Sequence, residues 1–492
     1  MRTLRFFLLL LTFTVQAAFT EFYVQTTANN LNAGSTTSDA AQHTYAAGTF
    51  VRSTGIFTTA SENPIPDVEL GDFASIYTTT GATVATFVAR VTGTNATTIT
   101  VSLTAIAGAT STVSEGSGEA TCKIGGAWDG PAGAVGFPFG FVTATLTDAS
   151  GNYPRVNFKN GVQYDVTAAM THSLAGPVVF QGYTTSVGDG GRATIDGGTG
   201  GGVTYYILLT VSGANNMLSD LIFANNGGTG TAADGVLISG VECVIYRCVF
   251  HNFRKAGLCL GANVNSAIEC EVYACNSSNT GTTGGGFNCA YTGIQLIRCI
   301  SHDNVGGANC HGFVISAGSA ISCIADSNAG TGFRVTGITG ISLSGCDSYN
   351  NTVDGFDFTG ASVAFVILEN CNSVNNTGWG FNSSGSSIRL GVLTKCGLGS
   401  GTMINDGGGI NTVFGATFIS DTVTYAADLT PWTTPATGDF RISLATAKGT
   451  GVGTFTETAA SYTGTIAYPD IGAAQHLDAG GAPTEHSHVF AQ

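Results

Sequence analysis

Apolar and polar positions recur with a period of about 24 residues along the second half of the chain. Seven cysteines mark the repeat at intervals of 27, 24, 24, 23, 25 and 25 residues, and they are Cys248, Cys275, Cys299, Cys323, Cys346, Cys371 and Cys396. An aliphatic residue usually stands three positions before each cysteine, and an asparagine follows four or five positions after it. A glycine with an apolar residue, as in Gly312-Phe313 and Gly355-Phe356, then closes the interval.

This pattern predicts one turn of a solenoid per interval, built from three short strands. The first strand carries the aliphatic residue, the second carries the cysteine, and the third begins at the glycine. No helical periodicity competes, and the apolar runs are too short for a helical repeat. Because strands in successive turns lie about 4.8 Å apart, like residues stack, with phenylalanines and cysteines inside and asparagine amides in ladders at a bend. The sequence therefore predicts an all-β protein whose main body is a single-stranded parallel β-helix.

The N-terminus has the pattern of an export signal. Arg2 and Arg5 precede an apolar run over 6–15, which is shorter than the roughly 20 residues that span a bilayer. Small residues around Ala17 suit cleavage, so residues 1–17 are interpreted as a signal peptide. A buried N-terminal strand is the alternative interpretation. On the first interpretation the mature protein is secreted or extracellular, without membrane insertion.

The rest of the chain divides by its composition. A Thr/Ala/Gly-rich stretch with alternating apolar positions, clearest over 97–103, indicates a β-rich N-terminal cap or accessory region over 18–150. The parallel β-helix is expected over 151–420. A C-terminal cap and tail are expected over 421–492, because an open solenoid end exposes unpaired strand edges.

Composition and charge narrow the class of protein. The chain has 492 residues, of which 70 are glycine, and charged residues make up 10% against roughly 25% in an ordinary globular domain. Hydrophobic residues amount to 43%, which argues against disorder. The net charge of −15 argues against nucleic acid and anionic membranes as partners, since both are bound by basic surfaces.

The 13 cysteines have two interpretations. A secreted chain commonly pairs its cysteines, and neighbours in a column are close enough for a disulfide. Alternatively, they fill the core as small apolar thiols. The odd number leaves at least one cysteine without a partner in the same chain.

Candidate chemistry lies on the outward side of the third strand and at the position before its glycine. Arg334, Asp354, Asp357 and Trp379 fall there in successive turns, so they are expected to be neighbours in a shallow groove. The two carboxylates suit Ca²⁺ or acid/base chemistry on a sugar, and Trp379 suits stacking on a sugar ring. A ladder of Asp–Arg salt bridges on a solvated face is the alternative.

Further candidates border the same groove or lie on the second strand. Asn382 and His311 occupy the groove columns and are expected to bind substrate. His302, which stands three positions after Cys299 and next to Asp303, is a candidate general base. Tyr349 belongs to the same column and is a candidate for substrate binding. The alternative is that the residues three positions after the repeat cysteines are ordinary polar residues of the surface.

The segment from Tyr349 to Phe358, with the sequence YNNTVDGFDF, resembles the calcium-site segment of the family-9 pectate lyases, which are right-handed β-helix proteins of the pectate-lyase-like superfamily. In that family two adjacent aspartates precede Gly-Phe, a third follows it, a fourth comes from the preceding turn, and a lysine in a later turn removes a proton. The resemblance implies that Asp354 and Asp357 are calcium ligands. The other two aspartate positions fall on Val353 and Thr331, and the lysine position falls on Asn382.

The resemblance thus implies a right-handed parallel β-helix, with Ca²⁺ as the cofactor of a site that lacks half of its carboxylates and its base. Two functions from different classes follow. The first is a secreted protein that binds, and in one version cleaves, an extracellular polysaccharide, with Arg334, Asp354, Asp357 and His302 as catalytic candidates. The second is a non-catalytic structural solenoid, such as a surface adhesin or a component of a virus fibre.

Overall fold

The structure is a computed structural model that describes part of the chain in detail. It describes residues 153–383 apart from gaps at 162, 167–168, 175, 199–206, 226–233, 276–283, 338–339 and 359–365. Before and after this part it describes 19–24, 43–51, 53–60, 63–64, 68, 73–78, 86–103, 107–108, 120–124, 391–398, 402–405, 419–424, 432–434 and 439–442. The predicted signal peptide at 1–17 and most of the predicted C-terminal tail lie outside these residues.

All regular structure in these residues is β-strand, which confirms the predicted all-β class. None of the described residues belongs to a helix long and apolar enough to span a bilayer. The chain forms two compact units, of which the first comprises 1–196 with 212–222 and the second comprises 197–211 with 223–492. The boundary between residues 222 and 223 falls within the strand Leu221–Ala224.

The first unit combines an antiparallel sheet with parallel strands. The antiparallel sheet has seven strands, in the order Phe73–Thr78, Ala120–Ile124, His43–Val51, Ile56–Thr58, Thr98–Val101, Thr86–Thr94 and Ala107–Gly108. Phe50, Phe57 and Ile99 are fully buried in its core. The parallel strands of this unit are Phe19–Val24, Tyr153–Lys159, Val179–Tyr183, Met217–Ser219, Gln163–Asp165 and Ala193–Asp196. The strand Met170–His172 also belongs to this unit. A β-rich region before the solenoid is therefore present, while its predicted limit at 150 stays a prediction.

The second unit is the predicted parallel β-helix, with three strands in each turn. Each strand pairs in parallel with its equivalent one turn later, which gives three parallel sheets. Sheet 1 comprises Val244–Tyr246, Ser266–Ile268, Ile294–Ile297, Gly318–Ile321, Ile341–Ser344, Val366–Glu369 and Gly391–Leu398. Sheet 2 comprises Val249–His251, Glu271–Tyr273, Ile300–His302, Ile324–Asp326, Asp347–Tyr349 and Asn372–Val374.

Sheet 3 carries most of the predicted site. It comprises Leu209–Val211, Val236–Ile238, Leu258–Leu260, Gly284–Cys289, Cys310–Ile315, Phe333–Val335, Phe356–Asp357, Trp379–Asn382 and Thr402–Asn405. After it, Ile419–Thr424 pairs in parallel with Gly391–Leu398, and Trp432–Thr434 pairs with Asp439–Ile442 in an antiparallel hairpin.

A file of stacked phenylalanines fills the inner side of sheet 3. The nearly parallel rings have centroids 4.7 to 4.9 Å apart and belong to Phe287, Phe313, Phe333, Phe356 and Phe381. None of these rings is more than 2% exposed. Because burying a phenylalanine contributes about 1.5–3 kcal/mol and one turn has no second layer to cover its ring, the rings stabilise the turns only as a stack. The predicted phenylalanine core is confirmed.

A file of cysteines stands at the start of sheet 2, and one of its members differs from the prediction. Hydrogen bonds between the backbones of successive turns place Cys270 between Cys248 and Cys299, followed by Cys323, Cys346 and Cys371. The assignment of Cys275 to this file is wrong. Cys270 lies 22 residues after Cys248 and 29 before Cys299, so the longer interval follows it. Every cysteine whose side chain is described is a buried thiol that forms no disulfide.

A ladder of buried asparagines joins the turns between sheets 2 and 3. Its members are Asn304, Asn328, Asn351 and Asn376. The Oδ1 atom of Asn351 accepts from the backbone N–H and the Nδ2 of Asn328, and its own Nδ2 donates to Asn376 Oδ1 at 2.9 Å. Cys275 occupies this file one turn before Asn304, whose Oδ1 accepts its N–H. The ladder satisfies backbone and amide groups that burial would otherwise leave without partners.

Single residues in the left-handed region make the bends between the sheets. One such residue precedes each member of the cysteine file, as Arg298 and Asn370 do, and another precedes each asparagine, as Asn350 does. A third bend leads from sheet 3 to sheet 1, and there Val264 has a φ of +61°. A β-branched residue is strained in this conformation, so the repeat geometry overrides the local preference of Val264.

We expect Val264→Asn to stabilise the protein by about 1 kcal/mol, because asparagine tolerates the left-handed conformation that costs other residues about 1–2 kcal/mol. Chemical denaturation of the full chain measures the change. Val241→Asn is the control, since Val241 is also exposed, at 42% against 56% for Val264, and has no positive φ. An equal gain in both variants would show that surface polarity, and not backbone strain, is responsible.

We expect Asn351→Ala to lower the free energy of unfolding by about 2–4 kcal/mol, because it leaves buried partners in two turns without hydrogen bonds. Asn350→Gly is the matched control. Asn350 is exposed and holds a φ of +54°, which glycine adopts freely, so this change is expected to stay within about 0.5 kcal/mol. Similar losses in the two variants would contradict a specific role for the ladder.

Candidate functional site

Two adjacent files of side chains form the predicted site along sheet 3. The sheet 3 outer file runs through residues in strict register, which are Cys259, Asn288, Val314, Arg334, Asp357 and Asn382. The pre-glycine file consists of the residues before the repeat glycines, among them His311, Thr331, Asp354 and Trp379. Repeat glycines donate their N–H to the pre-glycine carbonyl of the next turn, as Gly332 does to Asp354 and Gly355 to Trp379. The predicted alignment of these columns is confirmed.

Asp354 is a buried carboxylate that connects two turns. Its Oδ1 accepts the backbone N–H of Trp379 at 2.6 Å, and its Oδ2 accepts from Nδ2 of Asn382 at 2.8 Å. Only 6% of Asp354 is exposed. Position 378 is glycine because a Cβ there would collide with Asp354 Oδ1. The carboxylate therefore holds Trp379 and Asn382 in place at the end of the site.

The same contact recurs elsewhere in the pre-glycine file. Asp234 Oδ1 accepts the backbone N–H of Ala256 at 3.3 Å, and its Oδ2 pairs with Lys255 Nζ at 3.1 Å. His311 Nδ1 faces the backbone N–H of Thr331 at 3.1 Å. An acceptor at this position thus binds the equivalent N–H of the next turn, which gives Asp354 a structural role whatever else it does.

Arg334 lies at the centre of the site between a carboxylate and an imidazole. Its Nε is 3.8 Å from Asp357 Oδ2, and its Nη1 is 2.8 Å from His311 Nε2. The side chain of Arg334 is 22% exposed, whereas His311 and Asp357 are buried. Burial, together with the positive charge of Arg334, lowers the pKa of His311 to about 3. The imidazole is therefore neutral at ordinary pH.

Six of the predicted residues come together on sheet 3, which are Arg334, Asp354, Asp357, Trp379, Asn382 and His311. The other two, His302 and Tyr349, lie in the outer file of sheet 2, on a different face of the solenoid. Tyr349 is 9% exposed. Arg334 and Asp357 form an ion pair in which Asp357 is buried, whereas the alternative prediction was a ladder of Asp–Arg salt bridges on a solvated face.

The carboxylates of the site do not fit the calcium ion that the resemblance implies. Both oxygens of Asp354 already accept N–H donors, and Asp357 has the Arg334 guanidinium beside it. Ca²⁺ takes six to eight oxygen ligands, and the two positions at which the resemblance expects further aspartates hold Val353 and Thr331. Among the described residues there is no group of three or more His, Cys, Asp or Glu able to hold a metal ion.

The outer file of sheet 2 carries a second polar cluster. The rings of His251, Tyr273 and His302 stack with centroids 4.9 and 5.1 Å apart. Sequence reasoning missed Tyr273 because it counted from Cys275, whereas Tyr273 stands three positions after Cys270, as His302 does after Cys299. Counting from Cys270 would have found it.

His302 bridges two carboxylates in this cluster. Its Nε2 lies 2.9 Å from Glu271 Oε1, and its Nδ1 lies 2.9 Å from Asp303 Oδ2. Burial opposes protonation of the ring, but the hydrogen bonds to these two carboxylates outweigh it, so the pKa of His302 is raised. Burial also raises the pKa of Asp326, the neighbour of His302 one turn on, to about 6.

We expect Asp326→Asn to stabilise the protein by roughly 1–2 kcal/mol at about pH 7.5 and to have no such effect at about pH 3.5. The unfolded carboxyl ionises near pH 4 and the folded one at about 6, so its ionisation costs stability above that window and nothing below it. Denaturation at both pH values measures the difference. Asp303→Asn is the control, because Asp303 pairs with His302 and its loss is expected to destabilise near neutral pH. A gain from Asp326→Asn that is independent of pH would contradict the burial argument.

Comparison with known proteins adds two structures of low similarity. No family model and no curated protein matches the chain. Pectate lyase Pel9A is similar with a TM-score of 0.39 and 14% identity, over 66% of this chain and 88% of its own. The tailspike gp61 of Pseudomonas phage phi297 is similar with a TM-score of 0.24 and 11% identity, over 75% of this chain and 57% of its own. The expected parallel β-helix is confirmed by the strand pairing described above.

Proposed function

We propose that this chain is an extracellular β-helix protein that binds a polysaccharide along the outer side of sheet 3. The observation that carries the proposal is the straight, in-register succession of Asn288, Val314, Arg334, Asp357 and Asn382, with Trp379 beside its last member. An extended polymer also repeats along its length, so it is able to contact several turns of a solenoid at once. The apolar run at the N-terminus supports export.

The side chains of this face suit sugar recognition. Asn382 and Arg334 are partly exposed and offer amide and guanidinium groups that hydrogen-bond to hydroxyl groups, and the half-buried Trp379 supplies an aromatic ring. These residues lie on paired strands rather than on long loops, so little conformational entropy is lost when a ligand binds. Asp354 holds Trp379 and Asn382 through the two hydrogen bonds described above.

Binding is better supported than cleavage. The position at which the resemblance expects the proton-abstracting lysine holds Asn382, which donates to Asp354. The carboxylates of Asp354 and Asp357 are engaged with N–H donors and a guanidinium of the fold, whereas a hydrolytic pair needs one carboxyl that donates a proton to the leaving group. The catalytic roles of Arg334, Asp354, Asp357 and His302 remain hypotheses that an activity assay decides.

We expect Trp379→Ala to weaken retention of the bound polysaccharide by about tenfold, or ~1.4 kcal/mol, because the ring is lost while the strand pairing stays. Affinity electrophoresis of the full chain against a panel of neutral and acidic polysaccharides measures this. Tyr291→Ala is the matched control, since Tyr291 is an aromatic residue, 48% exposed, in the turn from sheet 3 to sheet 1. Circular dichroism verifies that both variants fold.

Two results would overturn the proposal. Absence of retention across the panel, or equal retention by wild type and Trp379→Ala, would favour the non-catalytic structural solenoid. Catalysis is measured separately, through the ultraviolet absorbance of unsaturated products and the release of reducing ends, with and without Ca²⁺.

A further inference from the structure

Both ring nitrogens of His302 face carboxylate oxygens on the outer side of sheet 2. Nε2 lies 2.9 Å from Glu271 Oε1, and Nδ1 lies 2.9 Å from Asp303 Oδ2. An ionised carboxylate only accepts hydrogen bonds, so each ring nitrogen has to donate. A neutral imidazole donates from one nitrogen, and only the imidazolium donates from both. The two contacts therefore identify His302 as an imidazolium.

Among the described residues, the titratable groups around His302 belong to three successive turns. Glu271 comes from the preceding turn, as does Tyr273, whose ring stacks on that of His302 with centroids 5.1 Å apart. Asp303 follows His302 in the chain, and Asp326 is its register partner in the next turn. Burial opposes the charge on the ring, but the carboxylates of Glu271 and Asp303 outweigh it and raise the pKa of His302 above its ordinary value of 6.5.

The proton on His302 connects two turns. Glu271 and His302 are 31 residues apart in the chain and lie on adjacent strands of sheet 2, whereas Asp303 belongs to the same turn as His302. Loss of the proton removes one of the two hydrogen bonds and leaves a ring lone pair facing a carboxylate oxygen, which is repulsive. This contact between turns thus depends on a group that titrates near neutral pH, unlike the uncharged asparagine ladder.

We propose that His302, Glu271 and Asp303 form a proton-dependent clasp between two turns of the β-helix, closed at mildly acidic pH and open at alkaline pH. The folded ring binds its proton more tightly than the unfolded one. The clasp therefore contributes its full stability below about pH 6.5 and loses it as the pH rises through the folded pKa of His302.

The same proton limits the chemistry of His302. An imidazolium has no lone pair, so His302 is unable to act as a general base while the clasp is closed. The clasp lies on sheet 2 and does not depend on the polysaccharide binding proposed for sheet 3.

Nuclear magnetic resonance of the full chain labelled with ¹⁵N-histidine tests the protonation state directly. At about pH 6.5, where an unfolded histidine is half protonated, we expect the His302 ring to carry protons on both nitrogens. His302→Gln assigns the signals by their loss. Glu271→Gln, which removes one carboxylate charge, is expected to move the titration of His302 to lower pH. A neutral ring at about pH 6.5, or a titration that Glu271→Gln leaves unchanged, would overturn the clasp.

Chemical denaturation of the full chain at about pH 6.5 and about pH 9 measures what the clasp contributes. We expect His302→Gln to raise the equilibrium constant of unfolding roughly tenfold at the lower pH, which is the weight of one hydrogen bond to a charged group, and by less than about threefold at the higher pH. Glu271→Gln is expected to show the same dependence on pH. Equal losses from His302→Gln at both pH values would show that the ring only packs, and would contradict the clasp.

Glu242→Gln is the matched control for Glu271→Gln. Glu242 is an exposed glutamate at a bend of the solenoid, with a φ of +58°, so its change removes the same charge without touching the clasp. We expect the effect of this control on stability to be equal at the two pH values. A dependence on pH as large as that of Glu271→Gln would assign the effect to net charge and overturn the proposal.

Hydrogen exchange locates the change within the fold. The backbone N–H of Asp303 donates to Asp326 O at 3.2 Å, and at the equivalent bend two turns later the N–H of Asn350 donates to Val374 O, also at 3.2 Å. After correction for intrinsic exchange rates, we expect the protection of the Asp303 N–H to fall between about pH 6.5 and about pH 9, while that of Asn350 stays unchanged. Equal behaviour of the two amides would argue against a local clasp at His302.

Discussion

The parallel register between successive turns is the constraint on which the rest of the structure depends. Each strand pairs with its equivalent one turn later, so every side chain lies next to the side chain at the same repeat position. Phenylalanine on phenylalanine and asparagine on asparagine are favourable under this rule, since rings stack and an amide both donates and accepts. Like charges in one file would repel, which accounts for the unusually low content of charged residues, at 10%.

Functional chemistry is therefore concentrated where a file departs from repetition. The sheet 3 outer file changes from Val314 to Arg334 to Asp357 to Asn382, and the opposite charges of the middle two make adjacent placement favourable. The pre-glycine file adds His311 and Asp354, which also join the turns. The proposed binding role and the structural role of linking two turns thus fall on the same residues.

The solenoid also explains why the carboxylates of this site do not fit a calcium ion. A calcium site needs several carboxylates within one small volume, and in-register strands bring them together only when neighbouring turns place aspartates at matching positions. Here Val353 and Thr331 stand at two of those positions, and Arg334 lies in register with Asp357. Arg334, whose Nη1 lies 2.8 Å from His311 Nε2 and whose Nε lies 3.8 Å from Asp357 Oδ2, places a positive charge where a calcium site would need further carboxylates.

The sequence by itself determined the repeat, the three strands of each turn, the phenylalanine file and the columns that bring Arg334, Asp354, Asp357, Trp379, Asn382 and His311 to one face. Each of these follows from local spacing, which a solenoid converts directly into position.

The tertiary structure decided between assignments that the spacing of residues allows equally. Cys270 and Cys275 both fit the cysteine spacing, and only the pairing of turns showed that Cys270 belongs to the file, Cys275 to the asparagine ladder and Tyr273 to the ring stack. The partners of Asp354 and the two donors around His311 come from a neighbouring turn, 20 to 28 residues away, and their geometry depends on where each turn bends.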